Sequence, residues 1–289
     1  MQVESKIVGT APGAKAPQTQ VNIFGAWVDP ISREEALQTI LTWCETRAQQ
    51  YVVTPNLNAC RLLRTNQEFA AAYRDAGLSL PDGWPLVAGS RLTKHPVRQR
   101  VTGSDLIAPL CERLSERGFS VFFLGSSNEV LRDVSKKLQG ITNKLAIVGT
   151  YSPPLGFEHD KSQIDFINKQ IESLRPHAVV VALGAPKQEL WMASNVKHLP
   201  IGFAIGVGGS LDFLAGKQRR APLFFRRVCL EWLWRAGSDP ARLGKRYLAD
   251  AASLPLLLPS HINRHIITKR ETVRQRYHSS IQLTGDGVG

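Results

Sequence analysis

Two stretches bring together the residue types that bind anions. They are Gly184-Ala185-Pro186-Lys187-Gln188-Glu189-Leu190-Trp191 and Gly206-Val207-Gly208-Gly209-Ser210-Leu211-Asp212. Each follows an apolar run, 178–183 and 201–205, and each resumes as a predicted helix. A buried strand, a small-residue turn and a helix N-terminus aim backbone N–H groups and a positive dipole end at one point. Two such units in succession predict one crevice at the strand ends, sized for a nucleotide diphosphate. Within it, Lys187 is either a phosphate contact or a solvated charge. Gln188 is either an amide donor to a sugar or phosphate, or a surface residue. Gly184, Gly206, Gly208 and Gly209 permit close approach of a pyrophosphate or a base, or close helix–strand packing. The second loop is no dinucleotide fingerprint, because Leu211 stands where G-x-G-x-x-G requires glycine.

Upstream, Asp82 lies between Pro81 and Gly83 after the apolar run 77–80. A carboxylate at a strand end, between a rigid and a permissive residue, is placed to take a proton. A simple Asp-Gly turn accounts for the same residues. Thr54 and Asn56 flank Pro55 at the end of another apolar run, either lining a pocket or capping the next helix. Arg100 precedes Val-Thr-Gly-Ser, so a guanidinium stands beside a predicted helix N-terminus capped by Thr102 or Ser104; both features suit a diphosphate. Arg98 is an alternative, and Asp105 reads as helix N-terminal charge. No D-x-D pair occurs, and His261 and His265 have no third ligand near in sequence, so no metal site is expected. No cofactor is expected either.

These segments resemble the signature blocks of the WecG/TagA/CpsF family of bacterial glycosyltransferases. The blocks are TPNLN at 54–58, PDGWPLV at 81–87, RVTGSDL at 100–106, GAPKQELW at 184–191, GVGGSLDFLAG at 206–216, and RAP at 220–222 leading into LEWLWR at 230–235. The resemblance implies that Asp82 is the general base and that Thr54 and Asn56 line a sugar pocket. It also implies a UDP-sugar donor, most simply UDP-N-acetylmannosamine, a polyprenyl-diphosphate-linked acceptor, and inversion at the anomeric carbon by direct displacement. A glucosyl or other hexosyl donor is the alternative within the family. The fold implied is Rossmann-like, of the type called GT-E, with a C-terminal appendage that binds membrane and closes over the site through arginines such as Arg220 and Arg227. The tail after Tyr247 departs from the family pattern.

The elements that must position these residues alternate. Strands are predicted at 21–29 (a pair), 51–55, 120–125, 144–151, 177–184 and 201–209. Helices are predicted from Ser32 to about 49, at 57–65, 66–76, 102–117, 128–139 and 160–174, and again through Trp191. Strands alternating with helices predict an α/β fold, a largely parallel sheet covered by helices on both faces. The 289 residues, 43% of them hydrophobic, suffice for one large domain with an appendage. The expected division is a disordered segment 1–20, an α/β core 21–216, and a basic, aromatic appendage 217–289.

Charge supports that division. Residues 217–276 hold 14 Lys and Arg against four acids, so they carry +10 of the chain's net +12. A basic stretch with interleaved Phe and Trp suits an anionic membrane surface; RNA is the competing partner. A core helix with a charged outer face is the plainer reading. A nucleic-acid-binding protein would leave the ligand-type loops of the near-neutral core unexplained, so no nucleic-acid partner is expected. A homo-oligomer stays open. Four scattered cysteines fit buried thiols in a reducing compartment. With no apolar signal segment and no run of about 20 apolar residues, the expected location is cytoplasmic, peripheral on the inner face of the cell membrane.

Overall fold

A computed structural model describes residues 20–218, apart from 92, 94, 95, 98 and 143. Beyond them it describes only residues 221, 222, 225, 234, 237, 244, 249, 250, 252, 253 and 255. Most of the expected appendage and all but the last residue of the expected N-terminal segment lie outside this set. That last residue, Gln20, is buried and belongs to the folded core.

A hairpin of β1 (Val21–Ile23) and β2 (Ala26–Val28) opens the fold. Helix α1 (Arg33–Thr46) starts at a reciprocal capping box: Ser32 N–H donates to Glu35 Oε2 at 2.7 Å and Glu35 N–H to Ser32 Oγ at 3.2 Å. Then come β3 (Gln50–Val53), α2 (Leu57–Thr65), α3 (Gln67–Asp75), β4 (Leu78–Ser79), α4 (Trp84–Ser90) and α5 (Gly103–Glu116). The second half runs β5 (Ser120–Gly125), α6 (Asn128–Ile141), β6 (Ala146–Tyr151), α7 (Lys161–Leu174), β7 (Ala178–Ala182), α8 (Lys187–Asn195), β8 (Phe203–Gly206) and α9 (Ser210–Ala215).

The expected α/β architecture is present. Six strands pair in the order β4-β3-β8-β7-β5-β6, and every pairing is parallel. Parallel strands covered on both faces read as unbroken apolar runs, and β7 (AVVVA) is buried throughout. Its side chains alternate between two cores. Ala178, Val180 and Ala182 join α1, α5, α6 and α9, whereas Val179 and Val181 join α3, α7 and α8. Each fully buried Val, Leu, Ile or Phe contributes about 1.5–3 kcal/mol, so these layers supply the main driving force.

Three differences from expectation have local causes. Helix α6 runs through Gly140 to Ile141, because one exposed glycine costs only about 1 kcal/mol, too little to stop an amphipathic helix. Helix α1 ends at Thr46, three residues early, where Arg47 turns left-handed at φ 50. Helix α4 was not expected. Pro85 in its first turn is compatible with a helix start, and buried Leu86 anchors it beside the hairpin.

The two ends of the sheet are fixed differently. At the amino end, Arg47 Nη1 donates to the carbonyls of Arg175, Pro176 and Pro200 at 3.0, 2.8 and 2.7 Å, fastening the approaches to β7 and β8. At the carboxyl end of β4, Asp29 and Ser79 exchange backbone and side-chain bonds. Asp29 N–H donates to Ser79 O, and Ser79 N–H donates to Asp29 Oδ2, both at 2.8 Å. Gln20 Nε2 donates to Asp29 Oδ1 at 3.0 Å. The hairpin thereby holds the short strand that leads to Asp82. Asp29→Ala would leave two buried donors unpaired and should cost roughly 2–4 kcal/mol, read as a lowered urea midpoint with an unchanged m value. A loss of unfolding free energy below about 0.5 kcal/mol would show that the latch is dispensable.

Candidate active site

The carboxyl ends of β3, β4, β7 and β8 meet along one rim, and hydrogen bonds join their loops. Asp82 N–H donates to Pro55 O at 2.8 Å, tying the loop after β4 to the loop after β3. Val101 N–H donates to Pro81 O at 3.0 Å, bringing in the approach to α5. Thr54 Oγ1 donates to Gly206 O at 3.2 Å, and Gly208 N–H donates to Gln188 Oε1 at 3.1 Å. Asp82, Thr54, Asn56, Arg100, Thr102, Gln188, Gly206 and Gly208 therefore belong to one connected rim, although they span more than 150 positions of sequence. Gly184 and Gly209 lie in the same two turns after β7 and β8.

Local physics accounts for each placement. Gly83, at φ 106, makes the left-handed turn that carries Asp82 out of β4 and into α4. Asp82 is half-buried. Asn56 is the N-cap of α2, its side chain accepting from Ala59 N–H at 3.1 Å. Thr102 is buried as the N-cap of α5. It accepts from Asp105 N–H at 3.0 Å, and its hydroxyl donates to Asp105 Oδ2 at 2.8 Å. Arg100 Nη2 stands 3.6 Å from the same Asp105 oxygen, which keeps the guanidinium at the N-terminus of α5. Asp105 is thus a helix-terminal charge, as read from sequence.

Two residues sit otherwise than a free ligand contact would. Lys187 Nζ is 2.5 Å from Glu158 Oε1, and this hydrogen bond holds Glu158 below the usual carboxylate range. Gln188 is buried, so the surface alternative is excluded. A side chain at Gly206 would meet Gln188 Nε2 at 2.9 Å, so this glycine makes room for the amide of α8. Arg220 and Arg227, like Arg98, His261 and His265, lie outside the described residues. Of the C-terminal segment, the rings of Phe225 and Trp234 meet in a tilted contact, centroids 5.5 Å apart. Buried Asp250 approaches Arg61 of α2 to 3.8 Å. Among the described residues, no three His, Cys, Asp or Glu side chains gather as a metal site would require. No helix among them is long and apolar enough to cross a membrane.

Sequence reasoning missed Glu189. It is 3% exposed, accepts from Gln188 Nε2 at 2.9 Å through Oε1, and leaves Oε2 without a hydrogen-bond partner among the described residues. Burial pushes its carboxyl up from 4.5 to about 7, against the lowering effect of the Gln188 bond. Buried Tyr73 on α3 feels this group: burial first, then Glu189, Cys60 and Asp82, push its phenol well above the ordinary range. A signal for Glu189 existed. The buried positions of α8 are 188, 189, 191, 192 and 195, and extending the Trp191–Met192 stripe back one turn reaches 188 and the residue beside it.

An open parallel sheet with polar loops at its carboxyl rim defines a class of α/β proteins that bind ligands outside the strand ends. Within that class, the chain belongs to the glycosyl transferase WecG/TagA/CpsF family, whose model matches residues 21–266. One relative is the N-acetylglucosaminyldiphosphoundecaprenol N-acetyl-beta-D-mannosaminyltransferase of Staphylococcus aureus strain MRSA252. It is 29% identical over 232 residues, which cover 78% of this chain and 87% of the relative. The protein of the same name from strain MW2 is 28% identical over 232 residues, with the same coverage.

The buried carboxyl of Glu189 links stability to pH. Its folded-state value lies above its unfolded one, so its contribution is fully present below about pH 4.5 and is lost as pH rises through about 7. Glu189→Gln cannot titrate. The melting temperature of that variant relative to wild type should therefore climb between about pH 4.5 and pH 7 and level off above that. Parallel melting curves across that range would refute the assignment.

Proposed function

We propose that this glycosyltransferase moves N-acetylmannosamine from UDP to an N-acetylglucosamine carried on a polyprenyl diphosphate, in the synthesis of a cell-surface polysaccharide. The acceptor and the transferred sugar follow from the names of the relatives at 28–29% identity, and a nucleotide diphosphate as its carrier suits Arg100 beside the N-terminus of α5. The observation that carries the reading is the seat of Asp82. Its backbone N–H is bonded to Pro55 O, and Pro81 O beside it accepts from Val101 N–H, so this half-buried residue sits at the joint between the Thr54–Asn56 turn and the approach to α5.

In this mechanism Asp82 takes the proton from an acceptor hydroxyl. The freed oxygen attacks the anomeric carbon from the face opposite UDP, the bond to the UDP oxygen breaks, and the configuration inverts. Arg100, at the N-terminus of α5, and the turn after β8 at Gly209 offset charge growing on the leaving diphosphate. With cationic and backbone donors in that role, transfer proceeds without a divalent metal.

The test is transfer of labelled sugar from UDP-N-acetylmannosamine to a polyprenyl-diphosphate N-acetylglucosamine, with UDP-glucose as the competing donor. Asp82→Asn should keep the melting temperature and lower turnover by about 10²–10⁴. Wild-type turnover should survive excess EDTA. Normal turnover in Asp82→Asn would remove the base, and an EDTA loss restored by Mg²⁺ would remove the metal-free leaving-group role.

The lipid-linked acceptor requires the protein to work at a membrane surface, and the +10 of residues 217–276 suits an anionic leaflet. Each basic residue near such a surface contributes about 1 kcal/mol, screened by salt. The full chain should therefore co-sediment with phosphatidylglycerol vesicles at low salt and be partly released at high salt. Tight RNA binding with no sedimentation would favour a nucleic-acid role for the tail instead.

A further inference from the structure

The amide of Gln188 spans the two turns of the rim, and its orientation is not free. Gly208 N–H is a donor only, so the half of the amide facing it must be the carbonyl oxygen, at 3.1 Å. The NH₂ half then points back over Gly206 and needs an acceptor, since Gln188 is 5% exposed and water does not reach it freely. Glu189 Oε1 is that acceptor, at 2.9 Å. Glu189 is itself 3% exposed, an expensive place for a carboxyl whose second oxygen finds no partner among the described residues.

We infer that Glu189 is a positioning residue: its side-chain oxygen selects the Gln188 amide orientation that clamps Gly208 N–H, and so joins the turns after β7 and β8 into one rigid wall. Flipped by half a turn, the amide would set NH₂ against N–H, two donors facing each other, and the clamp would open. The space for the clamp is left by Gly206, where a Cβ would lie 2.9 Å from Gln188 Nε2. The carboxyl keeps an acceptor oxygen whether charged or neutral, so the clamp needs the oxygen and not the charge. Glutamine at 189 supplies that oxygen too; methionine, close in volume, does not.

On the transfer reading, the wall faces the donor diphosphate, and the kinetic part of the inference rests on that reading. A loosened turn then misplaces the donor relative to Asp82, an effect on orientation more than on folding.

The experiment compares full-length Glu189→Gln and Glu189→Met by thermal melting, by the ¹⁵N–¹H resonance of Gly208, and by donor kinetics. Glu189→Gln loses a buried acid and should melt no lower than wild type, whereas Glu189→Met also strands the buried Gln188 NH₂ and should melt below Glu189→Gln while still unfolding cooperatively. In Glu189→Met the Gly208 amide should shift upfield and exchange faster with solvent, and kcat/KM for the donor should fall roughly 10²-fold. In Glu189→Gln the resonance should stay in place, with kcat/KM within about threefold of wild type. Gly206→Ala, which crowds the amide from the other side, should move the Gly208 resonance in the same direction as Glu189→Met. An unmoved Gly208 resonance in Glu189→Met overturns the inference, as does a Glu189→Gln variant as impaired as Glu189→Met. A wild-type protein that transfers no sugar sinks the transfer reading, and the Gly208 resonance still decides the positioning role by itself.

Discussion

Asp82 N–H bonded to Pro55 O and Val101 N–H bonded to Pro81 O are backbone bonds, beyond the last paired residues of β3 and β4. They hold three loops at fixed separation without using a side chain. Thr54, Asn56, Asp82 and Arg100 therefore converge by virtue of chain path. A parallel sheet makes such convergence possible, because every strand delivers its carboxyl end to the same side. The latch between Asp29 and Ser79 extends the arrangement outward: it recruits the hairpin to brace β4, which as a strand of two residues has little pairing of its own.

Much of this was legible in the sequence because burial on both faces writes itself as unbroken apolar runs. VFFLG and AVVVA stand out from the amphipathic helices between them, and Ser32 with Glu35 marks a helix start by capping chemistry alone. The chain neighbours of Asp82 were harder to read. Strand β4 is too short to show a period, and α4 contains Pro85 and Gly89, residues that ordinarily argue against a helix. Glu189 was hidden for a different reason. Charged residues in the first turn of a helix normally face water, and only the width of the buried stripe on α8 reveals that 188 and 189 turn inward. At Gly206 the sequence allows either close approach of a ligand or close helix–strand packing, and in the fold its missing side chain admits Gln188 of α8.

The rim thus has two layers. Arg100, Thr54 and Asp82 are half-buried, while Gln188, Glu189 and Tyr73 are buried in low dielectric. Electrostatics couples the layers: Tyr73 is pushed up first by burial and then further by Glu189, Cys60 and Asp82, so negative charge on either carboxylate opposes ionisation of the phenol. The C-terminal segment also reaches this region, through Asp250 beside Arg61 on the helix that Asn56 caps.

The clamp of Arg47 on three carbonyls closes the end of the sheet remote from all of this. Strand register is set there and in the two cores, so the half-buried positions of the opposite loops, unlike the Asp29–Ser79 latch and buried Gln188 and Glu189, carry little of the folding free energy. Substitutions in those loops can then alter which sugar is accepted without first threatening the scaffold. For descent with modification, this is a favourable division: the residues most exposed to selection for new specificity are those whose replacement the fold tolerates best.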